Sequence, residues 1–225
     1  KQMGKSTAVI CTSSITHAAP ASFIANVKNR EQQEDIAKQY LEGYCDIAIG
    51  GGADYFKADK RKDKLDLPNE LRKKGFDVVF SEKDLFESKS DRIVALLDDN
   101  HLQDATKRGS VMEKSLRKTL DVMQKNENGF FIMLEGSKID MEAHLNKYDS
   151  MIEEVLDFER CVKIAFEFAK ENPNTLIVVT ADHETGGLTL PAKDNDVKDK
   201  WTTLNHTGVP VPIFSFGMGA ENFTG

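Results

Sequence analysis

Leu176-Ile177-Val178-Val179-Thr180-Ala181-Asp182-His183-Glu184-Thr185-Gly186-Gly187 is the stretch on which the reading of this 225-residue chain turns. Its first four residues form a short apolar run of strand composition. The run stops at a carboxylate and an imidazole side by side. Neighbouring side chains of a strand point to opposite faces, so Asp182 and His183 can share one cation only where the backbone leaves strand geometry. Gly186 and Gly187 permit that bend. Taken alone, Asp182-His183 is also what an ordinary polar exit from a strand looks like. As part of a series, a strand that delivers polar groups at its carboxyl end fits an α/β fold, where ligands gather beyond the ends of parallel strands.

The series is present upstream. Residues 6–12 are a β-branched run, 20–27 and 31–41 have helical spacing, and 45–49 read as a short strand ending in Gly50-Gly51-Gly52. A helix at 69–74, strands at 77–80 and 92–97, a helix at 111–124 and the strand Phe130-Phe131-Ile132-Met133-Leu134 follow. Tyr148, Ile152, Val155, Val162, Phe166 and Ala169 recur at helical spacing, which makes 140–170 the longest amphipathic segment. Glu171-Asn172-Pro173-Asn174 closes it. This alternation predicts helices around a mainly parallel sheet, in a single domain spanning 1–225.

Two further clusters carry metal-ligand chemistry. The strand at 130–134 runs into Glu135-Gly136-Ser137-Lys138-Ile139-Asp140-Met141-Glu142-Ala143-His144. If the chain is helical from about Asp140, then Asp140 and His144 lie one turn apart on one face and can reach a common cation, with Glu135 at the strand end beside it. Each taken singly also reads as a dipole-complementing acid and a surface histidine. Asn205-His206-Thr207-Gly208 precedes the apolar segment 209–216. Carboxylates and imidazoles without a cysteine are the ligand set of catalytic zinc rather than of a closed structural site.

Composition bounds the partners. At 40% hydrophobic residues the chain can bury a sizeable core. A formal charge of −7 argues against nucleic acid as a stable partner, and no apolar run reaches the roughly 18–20 residues that span a bilayer. Cys11, Cys45 and Cys161, an odd number in apolar settings, are read as buried free thiols. Gly50-Gly51-Gly52 lacks the Lys-Ser/Thr of a phosphate loop and is read as a turn. The sign-alternating run at 57–64 is read as a solvated loop, and His101 as a surface residue.

Thr-Ala-Asp-His-Glu-Thr-Gly-Gly at 180–187 resembles the metal-binding signature of alkaline phosphatases, and Glu135 to Asp140 with His144 resembles that family's second metal segment at the same spacing. His206-Thr207-Gly208 with the Val-Pro-Val-Pro and Gly217-Met-Gly-Ala-Glu-Asn-Phe that follow is similar to its last histidine and the next strand. Thr16-His17-Ala18-Ala19-Pro20 through Arg30 is similar to the segment with a magnesium-side residue and a phosphate-gripping arginine. The resemblance runs in order over essentially the whole chain.

It implies a three-layer α/β/α sandwich and zinc-dependent hydrolysis of phosphate monoesters. Asp140, His144 and His206 would hold one Zn2+, Asp182 and His183 would contribute to a second, and Glu135 and His17 would belong to a third, Mg2+ site. Two divalent ions roughly 3.5–4 Å apart can stabilise the attacking and leaving oxygens of an in-line displacement. Arg30 would grip two phosphate oxygens with its planar guanidinium. The resemblance also implies a homodimer and a periplasmic or extracellular location. Where the family commonly carries a hydroxyl two positions after His17, this chain has Ala19, which cannot ligate a cation; the third site is thereby weakened. Met141 likewise replaces a charged or imidazole side chain, leaving substrate grip to Arg30 and the zinc ions.

The family's Asp-Ser-Ala nucleophile segment and its Gly-Asp-Gly-Met segment do not occur in these 225 residues. Asp149-Ser150-Met151 has the wrong neighbours and a helical setting. The chain therefore reads as an incomplete alkaline phosphatase-like domain, lacking its amino-terminal nucleophile part and its extreme carboxyl end, and inactive by itself. The polar stretch 192–200 reads as a minimal connection where family members carry an inserted subdomain. The alternatives are a related two-metal phosphodiesterase, phosphomutase or sulfatase, and a non-catalytic metal-binding module.

Overall fold

Strand β1 (Ser6–Ser14) opens the fold, followed by the short helices α1 (Ala18–Ser22) and α2 (Gln33–Gln39) and by strand β2 (Ile47–Gly51). Helix α3 (Leu67–Lys73), strand β3 (Asp77–Val79), helix α4 (Glu82–Glu87) and strand β4 (Ile93–Leu96) come next. Helices α5 (Ala105–Arg108) and α6 (Val111–Met123) lead to strand β5 (Phe130–Glu135). Helices α7 (Lys138–His144) and α8 (Tyr148–Glu171) precede four short strands, β6 (Leu176–Val179), β7 (Glu184–Thr185), β8 (His206–Thr207) and β9 (Phe214–Gly217). This computed structural model describes residues 1–189 and 200–223; the connection expected at 192–200 lies, but for Lys200, outside the described residues. The chain forms two compact units, Lys1–Gln103 with Lys107–Ser137, and Asp104–Thr106 with Lys138–Gly225.

The first unit is built on a five-stranded sheet in the order β3-β4-β2-β1-β5, every pair parallel. β2 and β4 are buried along their whole length and β1 from Ala8 onward, as expected for parallel strands covered on both faces. On one face Val9, Cys11, Ala48, Val78, Val94 and Leu96 pack with Ile36 and Ala37 of α2 and Leu67 and Leu71 of α3. The alternate residues Ala8, Ile10, Ile47, Ile49, Ile93 and Ala95 are equally buried. α6, with Leu116, Leu120 and Met123 inside, packs on β1. Helices on both faces of a mainly parallel sheet give the three-layer α/β/α architecture that the alternation and the resemblance imply.

Local chemistry sets several boundaries. Asp66 accepts the Asn69 N–H at 3.1 Å, with Pro68 in the first turn of α3. Ser81 accepts the Asp84 N–H at 3.1 Å and starts α4, a helix too short for its periodicity to register in the sequence. The helix expected at 20–27 ends at Ser22. The amphipathic segment at 140–170 is two helices, broken at 145–147 with Asn146 at φ 51°. Gly50 and Gly51 belong to β2 rather than to a turn; a Cβ on Gly51 would stand 2.0 Å from the Asn100 carbonyl oxygen.

In the second unit α8 packs on β6 and β9, with Phe166 against Phe216 at 4.4 Å between ring centroids. β6 pairs antiparallel with β9 in a two-stranded sheet, and β7 pairs antiparallel with β8. The strand that precedes the Asp-His motif is thus assigned to an antiparallel pair, where the sequence pattern placed it in a mainly parallel sheet. All three cysteines are free and buried. No described helix is long and apolar enough to cross a membrane.

Candidate metal centre

α7 places Asp140 in its first turn and His144 in its last, so their side chains project from one face. β8 begins at His206. One ligand atom from each of Asp140, His144 and His206 lies within 4.8 Å of the other two. The two imidazole Nε2 atoms are 3.0 Å apart, and Asp140 Oδ1 is 3.3 Å from that of His144 and 3.6 Å from that of His206. The three sequence-predicted residues are brought together.

The partners of the rings decide which nitrogen faces inward. His144 Nδ1 lies 2.6 Å from the Leu204 carbonyl oxygen; a carbonyl only accepts, so Nδ1 carries the proton and Nε2 keeps its lone pair. The Thr185 hydroxyl donates to Asp140 Oδ1 at 2.6 Å. Its proton is committed there, so His183 Nδ1, 3.1 Å away, donates to the same oxygen and Nε2 of His183 is again the free lone pair. A histidine whose second nitrogen is fixed by a carbonyl or hydroxyl is the arrangement of metal ligands. Lone pairs and a carboxylate oxygen gathered this closely repel unless a cation or a shared proton lies among them. The donor set therefore fits a divalent cation of the zinc type.

Asp182 and His183 stand slightly apart from that group. Asp182 Oδ2 is 3.3 Å from His183 Nε2, and the Asp182 side chain is 83% exposed. The His183 ring stacks on that of His206, with centroids 3.5 Å apart and planes 20° from parallel. Gly186, at φ +90°, makes the bend foreseen in the sequence, and a Cβ there would sit 2.4 Å from the Trp201 ring.

In the first unit His17 and Glu135 lie at carboxyl ends of strands, and Arg30 lies in the connection between α1 and α2. His17 follows β1, and its Nε2 is 3.2 Å from Arg30 Nη2. The guanidinium can only donate, so His17 Nε2 accepts. Glu135 ends β5 and accepts from the Ser137 hydroxyl at 2.5 Å. Ala19 lies in α1 and offers no ligand atom. Burial, with the Glu135 charge second, pushes the Cys11 thiol far above its ordinary range, so it is no nucleophile here.

His101 is the residue that the sequence pattern missed. It is half-buried rather than on the surface, accepts the Ser14 N–H at 3.0 Å through Nδ1, and meets His17 edge to face at 5.6 Å. A lone histidine after a strand carries no periodicity, so only the loop geometry reveals it.

With these sites in view, residues 1–200 match the family model described as alkaline phosphatase. The chain belongs to the alkaline phosphatase family. It is 30% identical to alkaline phosphatase 4 of Bacillus subtilis (strain 168), over all of this chain and 65% of that protein. To alkaline phosphatase 3 of the same organism it is 36% identical over 85% of this chain and 43% of the other. Among solved structures it is similar to a histidine-to-glutamate mutant of TAB5 alkaline phosphatase with Mg bound in the M3 site, with TM-score 0.90, 35% identity, and 99% of this chain and 68% of that one covered. The unmutated enzyme from the Antarctic bacterium TAB5 gives a TM-score of 0.86 at the same identity. The chain thus spans under two thirds of the length of the two curated alkaline phosphatases it resembles here.

Proposed function

We propose that this chain carries the metal-binding and phosphate-binding residues of a zinc-dependent phosphomonoesterase. The observation that supports it most is the convergence of Asp140, His144 and His206 with the His144 lone pair turned inward by the Leu204 carbonyl. In this reading Asp140, His144 and His206 hold one zinc, and Asp182 with His183 contribute to a second. Glu135 and His17 serve a weaker third site, for magnesium, which Ala19 deprives of a ligand. When bound, the ions would stabilise charge on the attacking and leaving oxygens of a phosphate monoester. Arg30 contributes two parallel N–H donors to the phosphate oxygens. His17 Nε2 accepts from Arg30 Nη2, so the guanidinium and a third-site cation compete for one lone pair, a second reason for that site to be weak. The Thr185 hydroxyl donates to Asp140 Oδ1, the same oxygen that faces the His144 and His206 rings, and so holds that carboxylate toward the cation. Location outside the cytoplasm and assembly as a homodimer belong to the same reading, on the family's strength.

The chain by itself is read as binding without turnover. None of its serines stands in the family's nucleophile context, and Ser13 and Ser14 are at most 1% exposed.

Zinc and phosphate titrations test the reading. The dialysed chain should bind zinc in a competition assay, His144→Ala should lose at least the tighter site, and the zinc-loaded chain should bind inorganic phosphate. Arg30→Ala should weaken that phosphate binding by about 1.5–3 kcal/mol, the range for a charged hydrogen bond, and leave zinc content unchanged. Negligible zinc in both wild type and His144→Ala overturns the metal assignment; equal phosphate affinity in wild type and Arg30→Ala overturns that of Arg30.

A further inference from the structure

His183 and His206 come from segments 23 positions apart along the chain, yet their rings stack with centroids 3.5 Å apart. The backbone that brings them together is slight. β7 and β8 pair through Glu184 with Thr207 and Thr185 with His206. The Gly186 N–H adds a bond to the Asn205 carbonyl at 3.0 Å. So short a pairing is marginal in water without further fixing.

The Glu184 side chain supplies that fixing. Its Oε2 accepts the Thr207 hydroxyl. The Gly187 N–H donates to Oε1 at 2.9 Å and also lies 3.2 Å from Oε2. One carboxylate thus ties the residue after His206 to the turn that follows His183. Glu184 is not in the group of converging ligand atoms, and its oxygens are occupied on the strand side. Gly187 has φ +60° and Gly186 φ +90°, so this turn is one that an L side chain could not hold cheaply.

We propose that Glu184 is a positioning residue, whose carboxylate clamps Thr207 and Gly187 and so sets the register of His183 against His206 for metal binding. This rests on the zinc reading above. It separates two physical roles. If Glu184 acts as a clamp, a glutamine should serve nearly as well, because its carbonyl oxygen can accept the Gly187 N–H and its amide can donate to the Thr207 oxygen. If it acts through its negative charge near the ions, glutamine should fail as alanine does.

The test is zinc affinity of the whole 225-residue chain by competition with a chromophoric chelator. Glu184→Ala and Thr207→Val should each weaken zinc binding by about 10–100-fold, the usual consequence of losing a group that orients a ligand. The double variant should be little worse than either single one, since both remove the same contact. Glu184→Gln and Thr207→Ser should bind within about threefold of wild type, since both keep the hydrogen-bond partners. A purely structural role would lower the unfolding midpoint without this pattern of rescue in affinity. Should Glu184→Ala fail to fold, Thr207→Val carries the test, as it removes only a hydroxyl from an isosteric side chain. Wild-type affinity in Glu184→Ala or Thr207→Val, or loss in Glu184→Gln equal to that in Glu184→Ala, overturns the clamp while His144→Ala still abolishes binding. Equal, negligible binding by wild type and His144→Ala instead removes the zinc reading and the proposal with it.

Discussion

A guanidinium removed from water needs acceptors for its donors, and Arg61 at 1% exposure has them. Its Nε and Nη2 donate to the two carboxylate oxygens of Asp63 at 2.8 and 2.5 Å, and Nη1 donates to the carbonyls of Glu34 and Tyr55 at 3.0 and 2.7 Å. The Arg61 hydrogen bonds hold the Asp63 carboxyl below its ordinary value of 3.8. A carboxyl depressed in the folded state contributes stability that is full above its unfolded pKa and is lost as pH falls through the folded one. Asp63→Asn should therefore destabilise the chain at pH 7 and flatten the loss of stability below about pH 4. Urea midpoints measured from pH 3 to 7 check this; parallel curves for variant and wild type would refute it. In the sequence Arg61 sits within a sign-alternating run and reads as solvated. Which cation of such a run turns inward depends on acceptors from elsewhere in the chain, here the Glu34 and Tyr55 carbonyls, and periodicity does not encode those. His101 escaped for the same reason. Asp140 and His144 were legible because metal chemistry restricts residue type and a helical i, i+4 spacing is visible in one dimension, whereas His206 joined them only through the family resemblance.

At the level of elements, legibility followed hydrophobic patterning. Eight of the strands and helices of the first unit were readable to within two residues, including α6, expected at 111–124 and found at Val111–Met123. α6 has one apolar face, and Leu116 at 4% and Leu120 at 7% exposure lie on it. Leu116→Ala should cost about 2–5 kcal/mol, as for other buried leucines cut to alanine. Val178→Ala in β6 should cost less than about 1.5 kcal/mol, because Val178 is 38% exposed and little of its surface returns to water. Equilibrium urea unfolding gives both; a Leu116→Ala loss no larger than that of Val178→Ala would contradict the burial. The pairing of β6 was less legible. An apolar run of four residues marks a strand without saying whether its partner runs parallel or antiparallel, since that is set by a distant segment, β9. The break between α7 and α8 was equally hidden: heptad-like spacing continues across it, and only Asn146 in the left-handed region shows where the chain turns.

For the whole molecule, the proposed function separates ligand chemistry from turnover, and that separation is testable. Zinc-assisted ester hydrolysis needs a nucleophile within about 3 Å of the reacting phosphorus. The hydroxyls at the end of β1 do not meet that need. Ser13, Ser14 and Thr16 are at most 1% exposed. The Ser14 and Thr16 hydroxyls lie 2.5 Å from each other, and that of Ser13 lies 2.9 Å from the Ser137 hydroxyl, which itself donates to Glu135. These protons are engaged in hydrogen bonds within the unit, and exposing any of them to a substrate would break a buried network at the cost of desolvated partners. Cys11 and Cys45 are no substitutes: burial holds Cys45 up to about 12 and Cys11 higher still, so neither is a thiolate at working pH. The 225-residue chain, loaded with zinc and magnesium, should therefore hydrolyse an aryl phosphate at alkaline pH no faster than a metal-matched blank. The same preparation should still bind zinc and inorganic phosphate, which distinguishes a missing nucleophile from a misfolded site. Zinc-dependent turnover by wild type that disappears in His183→Ala would show that a hydroxyl within this chain does reach the phosphorus, and Ser13 and Ser14 would then be the first side chains to replace.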